Sequence, residues 1–475
     1  MTSLVWFRED LRLVDNPALA QAAARGEIIP IFVFDDTVKR PLGAASCWWL
    51  NHSLSSLRNH LGGLLTLRGD PIQIIPKIVK QIGIGAVFWN RCYDDHAISR
   101  DKLLKASLRR DGVWVQSFNA NLLHEPWEIL TQTGNCFRVF SPFWRKARQL
   151  PVSEPIPAPK LRILTPKKID QMFDTVNFLP RNPKWADDWL NIWKPGECGA
   201  RERLNDFFLR EIEGYGSLRD RPDIGNVSRL SPHLRFGEIS PRYILQHARL
   251  QREKRPQLAK DIEKFISEIG WREFSYHQLF YFPSLHTRNL RSAFDAYPWR
   301  NDPAALHAWQ QGKTGYPFVD AGIRQLWRTG YMHNRVRMVV ASFLVKHLQI
   351  DWRRGEAWFW NTLLDADPAN NPAGWQWVAG SGADSAPYFR IFNPIVQGRK
   401  FDPTGAYVRK WCPELTGLAD KVIHAPFKAP REILKVSGVR LGVNYPYPIV
   451  SHEDARAAAL AGYEEVKRSS ALRTL

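Results

Sequence analysis

The sequence predicts an α/β N-terminal domain built on a doubly wound parallel sheet, followed by an all-α C-terminal domain. Short apolar segments alternate with longer amphipathic segments over residues 1–118, prolines crowd residues 131–200, and helical periodicity without a strand signal continues from about residue 201. A chain of 475 residues also has room for more than one domain. We therefore predict an α/β domain at 1–130, a connector at 131–200 and a helical domain at 201–475.

Five segments of the first domain are predicted to be strands, because they are short, apolar and rich in β-branched or aromatic residues: SLVWF, IIPIFVF, LLTLRG, AVFWN and VWVQSF. Helices are predicted between them: NPALAQAAARG, ASCWWLNHSLSSLRNHLG, PIQIIPKIVKQIG and residues 97–110. Such an alternation forms βαβ units with right-handed crossovers, so the sheet should be parallel. The domain carries neither G-x-G-x-x-G nor a P-loop, so a dinucleotide or nucleoside triphosphate held in the usual way is not indicated.

The middle and last parts of the chain have different patterns. The proline-rich segments LPVSEPIPAPKLRILTPKKID and FLPRNPKWADDW indicate a long connector over the surface of both domains. Helical periodicity then marks several segments: ARERLNDFFLREI, SPRYILQHARLQREK, LAKDIEKFISEIGWREFSYHQLF, DAGIRQLWRTG and NRVRMVVASFLVKHL. A final helix is predicted to begin at Ser451, with Asp454 completing a start similar to a capping box.

Composition restricts the classes of function. Lysine and arginine number 66 against 47 acidic residues, and this net charge of +19 favours an anionic partner, of which a nucleic acid is the simplest. The alternative is a soluble basic protein without such a partner. The chain has 20 tryptophans; most pack in the core, but indole also stacks on flat rings such as bases and flavins.

Cysteine usage and the N-terminus predict the compartment. The five cysteines are far apart and form no Cys-x-x-Cys, so no metal site is indicated and reduced cytosolic thiols are expected: Cys47, Cys92, Cys136, Cys198 and Cys412. The N-terminal MTSLVWFREDLRL has charges where a signal peptide requires an apolar core, and no apolar run approaches the ~20 residues of a membrane span. We therefore expect a soluble, cytoplasmic protein.

The segment LLDADPANNPAGWQW (363–377) places two aspartates, two asparagines and two tryptophans in an apolar neighbourhood. Removing an unpaired carboxylate from water costs several kcal/mol or so. The two carboxylates therefore either face water in a loop or have a buried partner that requires them.

Six motifs share their order and spacing with one known family: WFREDLRLVDNPAL, SRLSPHLRFGEIS (228–240), WREF (271–274), MHNRVRM (332–338), LLDADPANNPAGWQW and SGADSAPYFRIFNP (381–394). They resemble the photolyase–cryptochrome family over essentially the whole chain, and most closely its class I or related class III cyclobutane pyrimidine dimer photolyases. The resemblance implies an α/β domain that binds an antenna chromophore and a helical catalytic domain that binds FAD.

The resemblance also implies a flavin pocket and a role for the two carboxylates. Asp365 and Asp367 align with the carboxylates at the edge of the isoalloxazine ring, and Arg337 aligns with their charge partner. Asn371 aligns with the residue that faces flavin N5, where plant cryptochromes have aspartate; a neutral amide suits an enzyme that works from FADH⁻. Asn370 is interpreted as a structural cap. Further flavin contacts are implied for Tyr215, Val227, Ser228, Arg229, Leu230, Ser231, Arg272 and Asn334.

An electron relay and a substrate site follow from the same resemblance. Trp375 beside the flavin, Trp352 and then Trp299 at the surface match the family's tryptophan relay. The substrate is UV-damaged DNA that presents a flipped-out pyrimidine dimer, which blue light splits by electron transfer from FADH⁻. The implied dimer contacts are Trp271, Trp377, Glu268, Met338 and Asn334. Arg219, Arg335 and Arg390 are implied phosphate contacts.

Related activities are separated by local differences. Repair enzymes for (6-4) photoproducts resemble His-His-Leu-Ala-Arg-His where residues 333–338 read HNRVRM, so that activity is disfavoured. A cryptochrome photoreceptor without repair activity is the main alternative; Asn371 and the absence of a signalling tail argue against it. A nucleic-acid-binding protein without a cofactor leaves Asp365 and Asp367 unexplained.

The antenna chromophore stays open. Folate-binding relatives have a lysine after PSL where this chain has Thr287, whereas FNANLLHEPWEI (118–129) resembles plant-type and class III relatives. Methenyltetrahydrofolate and a deazaflavin are both compatible with the resemblance. We expect a monomer without a metal.

Overall fold

Five parallel strands form a single sheet in the order β3-β2-β1-β4-β5. The computed structural model describes residues 2–166, 184–385 and 389–472. The strands are β1 Thr2–Phe7, β2 Glu27–Asp35, β3 Leu65–Gly69, β4 Ala86–Asn90 and β5 Trp114–Phe118. Val5 of β1 is paired with Pro30 on one side and with Phe88 on the other. The predicted parallel, doubly wound sheet is confirmed.

Four helices make the crossovers between these strands: α1 Pro17–Arg25, α2 Ala44–Leu61, α3 Pro71–Ile82 and α4 Asp95–Arg110. Side chains alternate across a strand, so Val5 packs with α1 and α2 whereas Leu4 packs with α3 and α4 on the opposite face. Each face therefore has its own apolar layer, and both are buried, as a parallel sheet requires.

The second half of the chain is helical. After α5 Phe140–Ala147, the helices are α6 Glu197–Asp206, α7 Tyr215–Leu218, α8 Ser231–Arg235, α9 Pro241–Lys254, α10 Ala259–Tyr281, α11 Pro303–Gln310, α12 Pro317–Thr329, α13 Asn334–Ser342, α14 Trp352–Thr362, α15 Asn370–Ala379, α16 Pro394–Phe401, α17 Ala406–Trp411, α18 Asp420–Ile423, α19 Arg431–Val436 and α20 His452–Leu472. Ser451 precedes α20, and its hydroxyl accepts a hydrogen bond from the Asp454 amide at 3.4 Å. The all-α prediction is confirmed.

Helix α5 lies inside the segment predicted as a connector. Its Phe140 ring stacks on Trp271 of α10 with ring centroids 3.8 Å apart. Gly270 permits this approach, because an added Cβ would lie 2.6 Å from the Trp144 ring. The described part of LPVSEPIPAPKLRILTPKKID contains no helix and contacts both halves of the chain, through Ile156 and Glu154. Residues 167–183 of the predicted connector, and 386–388 of the SGADSAPYF motif, lie outside the described residues.

Buried ion pairs join the α/β domain to the helical half. Arg242 of α9 pairs with Asp15 at 2.8 Å, and Arg40 pairs with Glu356 of α14 at 2.6 Å. Arg12 is 1% exposed, and its guanidinium donates to backbone carbonyls that include that of Gly237 at 2.8 Å. These contacts fix the helical half against the sheet domain. In the described part of the chain, no helix combines the length and apolar character that crossing a bilayer requires.

Candidate active site

A cavity of about 560 Å³ opens in the helical half, a volume typical of cofactor and ligand sites. All predicted flavin and dimer contacts line it, together with Arg219, Arg335 and the first relay tryptophan, Trp375. Three predicted residues do not: Arg390 lines a small neighbouring cavity beside Trp377, and the outer relay residues Trp352 and Trp299 line neither cavity. Residues from positions 215 to 383 thus converge on one site.

Asp365 has the contacts that a flavin-binding carboxylate needs. Its Oδ2 accepts hydrogen bonds from Arg337 Nη2 at 2.8 Å and from the Ser231 hydroxyl at 2.6 Å. Its Oδ1 is buried and has no hydrogen-bond partner among the described residues. A buried acceptor of this kind is costly unless a donor reaches it. An N–H group at the edge of a flavin ring would satisfy it, so the residues present fit FAD.

Asp367 lines the same cavity but has a different immediate role. Its carboxylate accepts hydrogen bonds from the Ala369 amide at 2.9 Å and from the Asn370 side chain at 2.6 Å, at the start of α15. The capping group is therefore Asp367, and the interpretation of Asn370 as the cap was wrong. Burial raises the pKa of Asp367, although the nearby charges of Arg235 and Arg272 act in the opposite direction.

The Asn371 amide has a fixed orientation. Its Nδ2 donates to Glu356 Oε1 at 2.7 Å and to the Glu356 backbone carbonyl at 3.1 Å. Because both partners are acceptors, the amide oxygen is left for the cavity that Asn371 lines. Glu356 was missed from the sequence. Its only signal in the sequence was an acid directly before the apolar run AWFW; in the structure Glu356 is only 2% exposed.

The segment 227–231, whose residues are implied flavin contacts, has a strained backbone at Arg229. Arg229 has a φ of 53°, in the left-handed region that non-glycine residues rarely adopt. Its guanidinium lies over the Trp193 ring at 4.3 Å, and its Nε is buried without a hydrogen-bond partner among the described residues. A strained backbone conformation of this kind persists where surrounding contacts enforce it, as they do at ligand sites. The Ser231 hydroxyl donates to Asp365 at 2.6 Å.

The predicted dimer contacts form the mouth of the cavity. Trp271 is held against Phe140, and the Trp377 indole donates to the Asp384 carbonyl at 3.0 Å. Both indoles are half-buried, so each keeps a ring face for a stacked base. Trp271 and Trp377 are far apart in sequence, but both line the same cavity. This shared location is what a clamp on flipped-out bases requires.

Charged residues at this mouth are paired with one another. Glu268 forms ion pairs with Arg219 at 2.8 Å and with Lys264 at 3.0 Å. Arg335 pairs with Asp220. The Glu268 carboxylate is therefore offset by neighbouring cations. The phosphate contacts implied for Arg219 and Arg335 stay predictions.

The tryptophans lie on more than one line from the cavity. Trp375 is 2% exposed, Trp352 is fully buried and Trp299 is half-buried, and the order of these three in a relay stays a prediction. A second line was not predicted: the Trp309 ring lies 6.2 Å from Trp375, and the Trp358 ring lies 5.1 Å from Trp309. Helical periodicity alone does not distinguish these indoles from packing residues.

Comparison with known proteins identifies the family. The family described as FAD binding domain of DNA photolyase matches residues 265–465, and the family described as DNA photolyase matches residues 3–160. The deoxyribodipyrimidine photo-lyase of Agrobacterium fabrum is 50% identical, and the match covers 98% of each chain. The chain belongs to the photolyase–cryptochrome family.

Photolyases and cryptochromes both occur among the similar proteins. A crystal structure of a bacterial class III photolyase from Agrobacterium tumefaciens has a TM-score of 0.92 and 48% identity, over 98% of each chain. Cryptochrome-1 of Arabidopsis thaliana is 40% identical, over 96% of this chain and 69% of that protein. The photolyase-family fold, with its sheet domain and helical FAD-binding domain, is therefore confirmed, whereas the roles of individual residues stay predictions.

Proposed function

We propose that this chain is a light-driven deoxyribodipyrimidine photo-lyase that splits cyclobutane pyrimidine dimers in UV-damaged DNA with a bound FAD. One observation carries the proposal: the carboxylate set suited to a flavin and the two indoles suited to flipped-out bases line the same cavity. When bound and reduced, FAD supplies the electron that opens the cyclobutane ring after blue-light excitation and takes it back afterwards. The similarity to class III photolyases supports a place in that class.

The protein's own residues position the reactants. Arg337 and Asp365 would hold the flavin edge, Asn371 would face N5, and the segment 227–231 with Tyr215 and Arg272 would hold the remainder. Trp271 and Trp377 would stack on the dimer while Glu268 binds a thymine edge and Met338 provides an apolar contact. Asn334 would reach both groups. Excluding water and fixing these distances is the contribution expected of a protein around a cofactor.

The direct test uses purified protein that has been reduced without oxygen and mixed with a thymine-dimer oligonucleotide. Under blue light the thymine absorbance should recover, and a dark control should show no recovery. No recovery with reduced flavin bound would contradict the proposal and favour the second candidate, a cryptochrome photoreceptor. That candidate is supported by the 40% identity to Cryptochrome-1 of Arabidopsis thaliana.

An antenna chromophore, a cytoplasmic location and a monomeric state belong to the same proposal. An archaeal photolyase from Sulfolobus tokodaii, with 30% identity and a TM-score of 0.80, was solved with two FAD molecules and an implied light-harvesting cofactor. Here methenyltetrahydrofolate or a deazaflavin is proposed. Mass spectrometry of the small molecules released from the native protein identifies which is present. Light scattering on a sizing column measures the oligomeric state.

Replacing Asn371 with aspartate should alter the flavin and slow repair. The new carboxyl group would stand against Glu356, to which the Asn371 amide donates at 2.7 Å. Two carboxyl groups in contact do not both ionise freely, so the charge beside the flavin would change. We expect a different flavin spectrum on photoreduction and repair about tenfold slower, the effect of roughly 1.4 kcal/mol. Asn361→Asp on α14 is the control. Flavin spectra of Asn371→Asp like those of the wild type would contradict the assignment.

Replacing Trp377 with alanine should weaken binding of damaged DNA. Stacking of a base on an aromatic ring contributes ~1–3 kcal/mol, so affinity for a dimer-containing oligonucleotide should fall about tenfold or more. Fluorescence anisotropy measures this loss. Trp114→Ala removes an indole that is 56% exposed on the sheet domain and should leave affinity unchanged. Equal affinities of Trp377→Ala and the wild type for the damaged strand would remove Trp377 from the substrate site.

A further inference from the structure

Arg40 reaches from the α/β domain to Glu356, which holds the cavity-lining residue Asn371 from behind. It belongs to the loop between β2 and α2, and its Nη2 donates to Glu356 Oε2 of α14 at 2.6 Å. Its guanidinium lies over the Trp360 ring at 3.9 Å, and the Trp360 indole donates to the Pro41 carbonyl at 2.8 Å. The loop is thus held on α14 by an ion pair, a cation–π contact and a hydrogen bond.

The same loop fits α14 too closely to shift. A Cβ on Gly43 would lie 2.0 Å from the Trp360 carbonyl oxygen, so only glycine allows the approach. The Ala44 amide donates to the Asn361 side chain at 3.0 Å. The loop therefore has a single arrangement against α14, and this arrangement places Arg40 beside Glu356.

Glu356 connects Arg40 to Asn371. One carboxylate oxygen accepts from Arg40, and the other accepts from the Asn371 amide nitrogen at 2.7 Å. An ionised carboxylate only accepts hydrogen bonds, so it holds the amide with nitrogen inward and oxygen toward the cavity. The Glu356 backbone carbonyl supports the same orientation through a longer contact of 3.1 Å.

The charge of Arg40 keeps this carboxylate in its accepting form. The Glu356 side chain is 3% exposed, and burial raises the pKa of Glu356 while the Arg40 charge and the bonds from Arg40 and Asn371 lower it. His286 is a second titratable group near Arg40, and the pKa of His286 is lowered by burial and by that charge. Without Arg40, Glu356 would keep only neutral partners. A protonated Glu356 would donate an O–H and compete for the amide oxygen of Asn371.

We propose that Arg40 is a positioning residue for the photochemistry: through Glu356 it holds the amide oxygen of Asn371 toward the flavin ring. The proposal rests on the proposed function, because it assumes that Asn371 faces flavin N5. It makes a residue of the α/β domain part of the flavin environment. Arg40 and Glu356 are more than 300 residues apart in the sequence.

Infrared spectroscopy of the flavin-loaded protein in the dark tests the charge of Glu356 without measuring repair. The carboxylic acid C=O band of Glu356 is identified by its loss in Glu356→Gln. In Arg40→Gln we expect this band to persist to a pH at least about one unit higher than in the wild type, a tenfold change in the ionised ratio. Arg68→Gln, which removes an exposed ion pair with Asp36 in the same domain, is the matched control. Identical titration of Arg40→Gln and the wild type would overturn the proposal.

Repair kinetics provide the second readout. Arg40→Gln should slow light-driven repair several-fold at saturating DNA while KM for the damaged strand is unchanged, and Arg40→Lys should recover most of the rate because it keeps the charge. If Arg40→Gln does not fold, as judged by circular dichroism, Glu356→Gln must show the same loss of rate with unchanged KM. A higher KM with an unchanged rate at saturating DNA would overturn the positioning role. If the wild type repairs nothing but the infrared shift is present, the proposed function fails and the link between Arg40 and Glu356 stands.

Discussion

Asp365→Ala is expected to purify without flavin. The change removes the acceptor of the Arg337 and Ser231 hydrogen bonds and leaves the Arg337 guanidinium without its carboxylate. Breaking a buried ion pair by removing one partner costs about 3–5 kcal/mol. The Oδ1 atom that awaits a donor in the cavity is lost as well. The ratio of flavin to protein absorbance after purification measures the result.

Two comparisons separate flavin binding from folding. Asp420→Ala removes a carboxylate that is 56% exposed and pairs with Arg409, so it should keep the flavin content of the wild type. The double variant Asp365→Asn, Arg337→Met removes both charges, and its thermal stability should exceed that of Asp365→Ala while flavin stays absent. Full flavin occupancy in either Asp365 variant would show that this carboxylate is not a cofactor contact.

Trp375→Phe is expected to abolish photoreduction of oxidised flavin and to leave repair by chemically reduced protein largely intact. Trp375 is the predicted relay indole that lines the cavity, and the Trp309 ring lies 6.2 Å from it. Phenylalanine preserves the apolar contact but is far harder to oxidise. Gly355 of α14 leaves room for the indole, since an added Cβ would lie 2.1 Å from the Trp375 ring, so the smaller ring fits without strain.

The two lines can be separated by further variants. Trp352→Phe and Trp309→Phe should each slow photoreduction, and their combination should resemble Trp375→Phe, because each single change leaves the other line in place. Absorbance under blue light with an external reductant follows the rate. Loss of repair in Trp375→Phe protein that was reduced chemically would assign Trp375 a role other than electron relay.

The fold was predictable because its signals are local. The five strands are short buried runs between amphipathic helices, and every one of them lies where the alternation placed it. Helix α5 was missed because its eight residues, FSPFWRKA, include a proline and stand beside a proline-rich stretch. Its burial depends on Trp271, which lies 131 residues from Phe140 and so contributes no signal near it.

The site was predictable only as far as motifs extend. Asp365, Arg337 and Asn371 stand in recognisable segments, and they converge on one cavity. Arg40 and Glu356 carry no motif, since a contact between residues 316 positions apart leaves no periodic pattern. Asp367, and not Asn370, accepts hydrogen bonds at the start of α15. This choice depends on side-chain orientation, which the sequence of two nearby polar residues does not reveal.

The ion pairs between the two halves limit how far this protein can be made smaller. Arg242 and Glu356 on the helical half both find their charge partners on the sheet domain, and Arg12 inserts a buried guanidinium across the same boundary. Deleting the sheet domain to obtain a smaller light-driven repair protein would leave Arg242 and Glu356 exposed without their charge partners. Trimming exposed loops is the workable route to a compact version.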